Sequence, residues 1–369
     1  MLKVQIKKED FVVKTLQVLK SLACRNVFPV MHNVVLEVKD GVLSLFATDL
    51  ETSLFVTFPE ISAEGEGKAL LPADKLSDII ARSKSGVVLE LKKEKAVLKS
   101  KEAVFELPVG SLEDYPSYTI PKKEGASCTI SGKELFYLFD CTSFAVGDKK
   151  ADSVFQGIHL KKDKEILQAE ATNRHMLARA PVPVKENVCI DCTVMLPTFK
   201  LASNFFKKSE KVEIFQNEKQ IVFRSGGNII WGQVIEGAFP DTSFIFESES
   251  SAVFEISKKD FEDALRQAAI VAPKSNNQVA LDISNHSVSV KAQSESGKVL
   301  TSLPQGTMRV LSGNEKSFKI GFNYAYLLSV LDKCGEKAKM RLKSSKEPAF
   351  VEYESFCWAI MPQVITEEE

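Results

Sequence analysis

The chain repeats its own pattern three times, and no other feature limits its possible folds as much. Three stretches set a short alternating strand against the start of a helix: VQIKKEDFVVKTLQVL from Val4, TISGKELFYLFDCTSF from Thr129 and FEISKKDFEDALRQAA from Phe254, spaced by about 125 residues. Ile6, Ile130 and Ile256 correspond, as do Phe11, Leu135 and Phe261. Each helix opens with an acidic residue followed at once by an apolar one, and a carboxylate there meets the positive end of the helix dipole. Later in each unit LLPADKLSDII, MLPTFKLASNF and IGFNYAYLLSV recur with the same step, and Pro72 and Pro197 suit the first turn of a helix. Ala47-Thr48-Asp49 echoes Ala171-Thr172-Asn173, and Tyr115-Pro116 echoes Phe239-Pro240, all in one register.

Between these helices run VVLEV, VLSLFAT, VVLELKK, AVLKS, VEIFQ and QIVFRS, whose period of two marks half-buried antiparallel strands. Each repeat therefore reads as two helices and about eight strands, built as two β-α-β-β-β halves in an α+β architecture. The polar joints PKKEGA (121–126) and ESESS (247–251) divide the chain into domains 1–123, 124–250 and 251–369. With 369 residues, 44% of them hydrophobic, each domain has apolar material for its own core. Lys and Arg number 48 against 49 Asp and Glu, a net charge of −1. Capture of nucleic acid or anionic membrane by bulk charge is thereby excluded, so polyanion binding has to come from asymmetry between faces. No apolar run approaches the roughly 18 residues of a membrane span, and MLKVQIKKEDF has no signal-peptide core, so a cytoplasmic protein is expected. The seven cysteines are mostly scattered and odd in number, as reduced thiols would be.

No motif for chemistry emerges. His32, His159, His175 and His286 lie in no metal-ligand spacing. Cys189-Ile190-Asp191-Cys192 is a CxxC without a second pair, and in the strand pattern NVCIDCTVML its two thiols face opposite sides. Gly65-Glu66-Gly67-Lys68 has the wrong spacing for a phosphate loop. Neither a catalytic residue, a metal nor a cofactor is assigned. On the first helix Val12, Leu16, Leu19 and Ala23 make a core stripe, leaving Lys14, Gln17 and Ser21 on another face. Singly, such basic positions read as solvated helix surface. Collectively, six helices related by the repeat would line one surface with modest positive potential, giving phosphate contacts without base readout.

Five segments, taken in order and at their spacings, make the sequence similar to the bacterial DNA polymerase β sliding clamp family over essentially the whole chain. They are Phe46-Ala47-Thr48-Asp49-Leu50-Glu51, Ala171-Thr172-Asn173-Arg174-His175-Met176-Leu177-Ala178, Gly237-Ala238-Phe239-Pro240-Asp241, Ile320-Gly321-Phe322-Asn323 and Met361-Pro362. The resemblance implies a DNA clamp fold: three repeated domains, each with two helices packed on antiparallel sheets, forming a head-to-tail homodimeric ring. Twelve helices would face a hole encircling double-stranded DNA without sequence specificity. It further implies a processivity factor with no covalent chemistry of its own and no cofactor. Its partners would be the replicative polymerase's catalytic subunit, a clamp loader, and repair and translesion polymerases that dock through short peptides; no membrane partner is implied.

By position, the peptide pocket implied by the resemblance comprises Phe155, Thr172, Arg174, His175, Met176, Leu177, Pro240, Phe244, Ile245, Asn323, Tyr326, Ala359, Met361, Pro362, Gln363 and Val364. Apolar walls with a few polar groups suit the apolar anchors of an extended peptide. Many relatives carry Asp-Gly-His-Arg-Leu where this chain has Asn173-Arg174-His175-Met176-Leu177, which reshapes the pocket floor, and the tail Ile365-Thr366-Glu367-Glu368-Glu369 adds negative charge nearby. The DNA-facing positions implied are Arg25, Lys149 and Lys150, with Lys200 beside Phe199, where relatives often have Lys. The implied dimer contact sets Phe105 and Leu107 against Ile270 and Val271 of a second copy. The residues alone leave two other functions open: a monomeric multi-repeat scaffold that recruits peptides, and a DNA-acting hydrolase built around His175.

Overall fold

The computed structural model describes residues 2–92, 94–123, 126–217, 219–247, 249–284, 287–313 and 317–365. His286 and the acidic tail 366–369 lie outside the described residues, as do Glu124, Gly125 and Ser248 of the two polar joints. The helices are α1 (Asp10–Ala23), α2 (Ala73–Arg82), α3 (Gly132–Thr142), α4 (Leu196–Phe205), the single turn α5 (Ser243–Phe246), α6 (Lys258–Ala269) and α7 (Tyr324–Lys333). Leaving aside α5, they fall two to a repeat, and the described strands number nine, eight and nine in the three repeats.

Side-chain caps hold three of the recurring strand–helix junctions, whereas Glu9 and Pro72, which precede α1 and α2, make no side-chain cap bond. At α3, Glu134 N donates to Ser131 Oγ at 3.2 Å while Ser131 N donates to Glu134 Oε2 at 2.7 Å, a reciprocal capping box. At α6 the Ser257 hydroxyl accepts from Asp260 N, and at α7 Asn323 Oδ1 accepts from Ala325 N at 2.9 Å. Ile6, Ile130 and Ile256 are all buried, as are Leu135 and Phe261. Phe11 departs from its counterparts. It holds the same position on α1, yet half of it is exposed, and its ring lies against Phe58 and Phe205 at centroid distances of 6.0 and 6.4 Å. The next residue, Val12, joins Leu16, Leu19 and Ala23 in the core. Around the CxxC, the strand begins only at Asp191 (Asp191–Met195), so Cys189 precedes it exposed while Cys192 is buried within it.

The chain forms two compact units: residues up to 135 with 186–190 and 197–234, and 136–185 with 191–196 and 235–369. In the first, one antiparallel sheet runs Ser62–Glu64, Leu2–Lys7, Gly86–Leu91, Lys95–Lys99, Val104–Pro108. A second continues from Cys128–Ile130 through Val212–Gln216, Gln220–Ser225 and Asn228–Ile235, then across Thr52–Phe58, Val42–Thr48, Asn33–Lys39 and Gly67–Pro72. In the second unit the analogous long sheet joins Met176–Pro183 to Phe356–Ile360, with Leu177 opposite Ala359. A four-stranded sheet, Gly297–Ser302, Ser287–Ser294, Gln278–Ser284, Phe318–Asn323, completes it. Among the described residues no helix is long and apolar enough to cross a membrane.

Candidate functional site

In the second unit the strand Ile166–Thr172 reverses into Met176–Pro183 through a turn whose polar groups are satisfied locally. Asn173 Oδ1 accepts from His175 N at 3.0 Å and Met176 N at 2.8 Å. The Thr172 hydroxyl accepts from Arg174 N at 3.0 Å and donates to Met176 O at 2.7 Å. The turn puts Arg174 at φ +72°, a left-handed conformation that these side-chain bonds help hold. His175 O in turn accepts from Met361 N at 2.8 Å, which docks the C-terminal segment on the turn. That segment is held further on by Gln363 N donating to Gly321 O at 2.8 Å and by Gln278 Nε2 donating to Val364 O at 2.8 Å. Gly321 has to lack a side chain, because a Cβ there would lie 2.6 Å from Gln363 O.

The resulting surface has a buried floor and exposed walls. Met176, Leu177 and Ala359 are the floor, all nearly inaccessible, and half-buried Ile245 packs on the cluster of Leu177, Phe350 and Ala359. Met361 is 42% exposed and Val364 87%, while the His175 and Tyr326 rings lie nearly parallel with centroids 6.4 Å apart. Arg174 pairs with Asp152 and sets its guanidinium 5.3 Å from the Phe155 ring centroid. Asn323 caps α7, which carries Tyr326. Phe244, 68% exposed, lies on α5; exposed Pro240 precedes that turn, and Pro362 joins Met361 to Gln363. Gln363 donates through Nε2 to Asn276 O at 3.1 Å, and its Oε1 is buried with no partner among the described residues.

Beneath this surface lies a network that sequence reasoning missed. Glu170 stands opposite Arg179 in the hairpin, its Oε1 accepting from Arg179 Nε at 2.6 Å and from the Thr242 hydroxyl at 2.8 Å. Arg179 also donates to Thr242 Oγ1 at 3.1 Å and lies 4.1 Å over the Phe246 ring, so the pair ties α5 to the floor of this surface. The available signal was two opposite charges on paired strands whose neighbours are mostly apolar.

The basic positions fall in both units. Arg25, just past α1, places Nη1 3.5 Å from an Asp49 carboxylate oxygen. Lys200 is exposed on α4 in the same unit. Lys149 and Lys150 are exposed in the second unit, at a turn where Asp148 Oδ1 accepts from Lys150 N at 2.9 Å. Phe105 is 38% exposed on Val104–Pro108, the outermost strand of its sheet, whereas Leu107 on the same strand is buried within the chain. Ile270, just past α6, is 80% exposed, and Val271 is half-buried. Among the described residues no group of three or more His, Cys, Asp or Glu is placed to hold a metal.

Three family models match in succession: the N-terminal domain of the DNA polymerase III beta subunit over residues 2–119, its central domain over 129–241 and its C-terminal domain over 244–359. The chain belongs to the DNA polymerase III beta subunit family. A beta sliding clamp of Caulobacter vibrioides is 25% identical over 343 residues, 89% of each chain. That of Escherichia coli K12 is 24% identical over 371 residues, 98% of this chain and 99% of its own. Among solved structures, the DNA polymerase sliding clamp of Pseudomonas aeruginosa is 23% identical, covers 99% of this chain and 100% of its own, and superposes with a TM-score of 0.89. The beta subunit of Streptococcus pyogenes, 21% identical, gives 0.90 over 98% of this chain and 99% of its own. At such identities the structural likeness speaks for the fold alone. As a family member the chain is a sliding clamp, a non-catalytic processivity subunit of the replicative polymerase.

Proposed function

We propose that two copies of the chain close head to tail into a ring around duplex DNA, and that polymerase and repair partners dock on it by short peptides at the surface around His175 and Met361. One observation carries most of the weight: a single chain matches all three clamp domains in order, and six long helices fall two to a repeat. Within the proposal Arg25, Lys149, Lys150 and Lys200 face the DNA. Each would offer an exposed cation to phosphate, Arg25 by exchanging its Asp49 partner for it, which gives retention without sequence readout.

Ring closure is proposed at two sheet edges. Phe105, with its neighbour Val104, projects from the outermost strand of one sheet, and Ile270 projects near Gly297–Ser302, the outermost strand of another, where Leu300 is 61% exposed. Leu107 supports that contact from beneath and Val271 flanks it. In the peptide site, half-exposed Met361, exposed Val364 and half-buried Ile245 would receive apolar anchors. The clamp loader and the translesion and repair polymerases are proposed to share this site, and the working compartment is proposed to be the cytoplasm.

Retention on nicked circular DNA before and after linearisation tests the ring. Encirclement predicts stable retention on the circle and rapid loss from free ends, and equal retention on both would contradict it. Sedimentation adds a second check, since a species at the 40.9 kDa of one chain at micromolar concentration would favour the monomeric scaffold.

A further inference from the structure

The first unit holds a copy of the pocket turn. Thr48 Oγ1 donates to Thr52 O and accepts from Leu50 N, both at 3.0 Å, and Asp49 Oδ1 accepts from Glu51 N at 3.1 Å and Thr52 N at 2.7 Å. Leu50 sits at φ +79°, and Glu51 O accepts from Gln233 N at 3.1 Å. Bond for bond this matches the turn at Thr172, with Gln233 in the place of Met361. The side chains differ: Ser53 stands where the other turn has Leu177, and Trp231, paired with Ser53 across the sheet, stands where it has Ala359. Beside the turn lies a cavity of about 560 Å³, within the roughly 300–1,000 Å³ usual for ligand sites.

One wall of that cavity is the segment 116–122, which belongs to no helix or strand. Its side chains alternate like those of a strand, with Tyr118 and Ile120 half-buried and Ser117 and Thr119 exposed. Tyr118 stacks on Phe46 at 3.6 Å between centroids, Phe46 stacks on Trp231 at 5.7 Å, and Ile120 packs on the same cluster. Side chains therefore anchor the segment, while the backbone groups of residues 117–120 make no hydrogen bond among the described residues. Such a row of free N–H and C=O groups is a template for an added strand. Gln220 and Gln233, opposite each other across the neighbouring strands, line the cavity with amides. Glu51 and Lys122 supply one charge of each sign, and neither is in an ion pair among the described residues.

We propose that this cavity is a second peptide-docking site, which takes a short extended peptide carrying both charge signs. The peptide pairs its backbone with residues 117–120, lays an apolar side chain against Leu50 and Tyr118, and sets a cationic residue beside Glu51. The proposal does not require the surface at His175 to bind peptides.

The chain's two tryptophans make it testable, because Trp231 borders this cavity and Trp358 is fully buried in the other unit. The full chain is labelled with 5-fluorotryptophan, its two ¹⁹F resonances are assigned with Trp231→Phe, and it is titrated with the peptide Ac-Lys-Leu-Gln-Leu-OH. A saturable shift of the Trp231 resonance alone is expected. N-methylation of the peptide's central amides, or Glu51→Ala at an exposed side chain, should weaken it by roughly five- to tenfold, as losing one or two net hydrogen bonds does. Met361→Ala should leave it unchanged. No Trp231 shift at millimolar peptide, equal binding of the N-methylated peptide, or a shift abolished by Met361→Ala would each overturn the proposal.

Discussion

Replacing Arg179 with Met should destabilise the second unit by about 3 kcal/mol. The Glu170 side chain is only 6% exposed and its Oε1 takes two donors, Arg179 Nε and the Thr242 hydroxyl. Without the guanidinium a carboxylate stays buried with one neutral donor, and breaking a buried pair from one side costs roughly 3–5 kcal/mol. Arg179 keeps 21% of its side chain in solvent, which sets the value at the lower end of that range. Changing Glu170 and Arg179 together to Met removes the charge along with its partner, so the double variant should be more stable than Arg179→Met alone. Urea unfolding followed by Trp358 fluorescence in a Trp231→Phe background reads the right unit, since Trp358 is fully buried there with its Nε1 donating to Cys141 O at 3.0 Å. Because Arg179 also holds Thr242 and Phe246, Arg179→Met should loosen α5 and weaken peptide binding as well. A cost below about 1 kcal/mol, or a double variant no more stable than the single one, would refute the claim that Glu170's charge needs Arg179.

Met361→Ala should reduce partner-peptide affinity by roughly tenfold, the worth of a half-exposed anchor of this size, without changing the sedimentation of the protein. Unchanged affinity in a fluorescence anisotropy titration would move the pocket elsewhere. Arg25→Glu combined with Lys149→Glu should flatten the salt dependence of DNA retention, lowering the log–log slope by about 2 if each cation neutralises one phosphate. An unaltered slope would remove both from the DNA face. In native protein at pH 8, iodoacetamide should modify exposed Cys24 and Cys189 first, as read by mass spectrometry. Burial pushes the Cys141, Cys192 and Cys334 thiols up from 9.0 to about 12, so they stay protonated and unreactive, and early modification of any of them would contradict that burial. The sign for stability follows: unfolded thiols ionise first, so their contribution is complete below pH 9 and is lost as pH rises from 9 towards 12.

Much of the architecture was legible in the residues because the signals that carry it are local. The acidic helix starts, the apolar stripe Val12–Leu16–Leu19–Ala23, and the alternation of the strands act within a turn or along one strand, and the threefold recurrence multiplied them. The proposed peptide pocket was read only by likeness to relatives. Nothing within the run Asn173-Arg174-His175 says that Met361, some 186 positions away, will donate to His175 O. The exposure of Phe11, set against the burial of Leu135 and Phe261 at matching helix positions, had no sequence signal at all, since what covers a side chain is decided by its neighbours in space.

The amino-acid sequence by itself determined the repeated strand–helix units, their acidic helix starts and the family to which the chain belongs, since each follows from residues close along the chain or from their order. Tertiary structure alone decided that Glu170, Arg179 and Thr242 share one buried network, that Leu107 is covered while Phe105 on the same face of its strand stays exposed, and that Tyr118, Phe46 and Trp231 stack beside an open cavity. Each depends on strands brought together from distant positions, where pairing register and close packing fix which side chains meet.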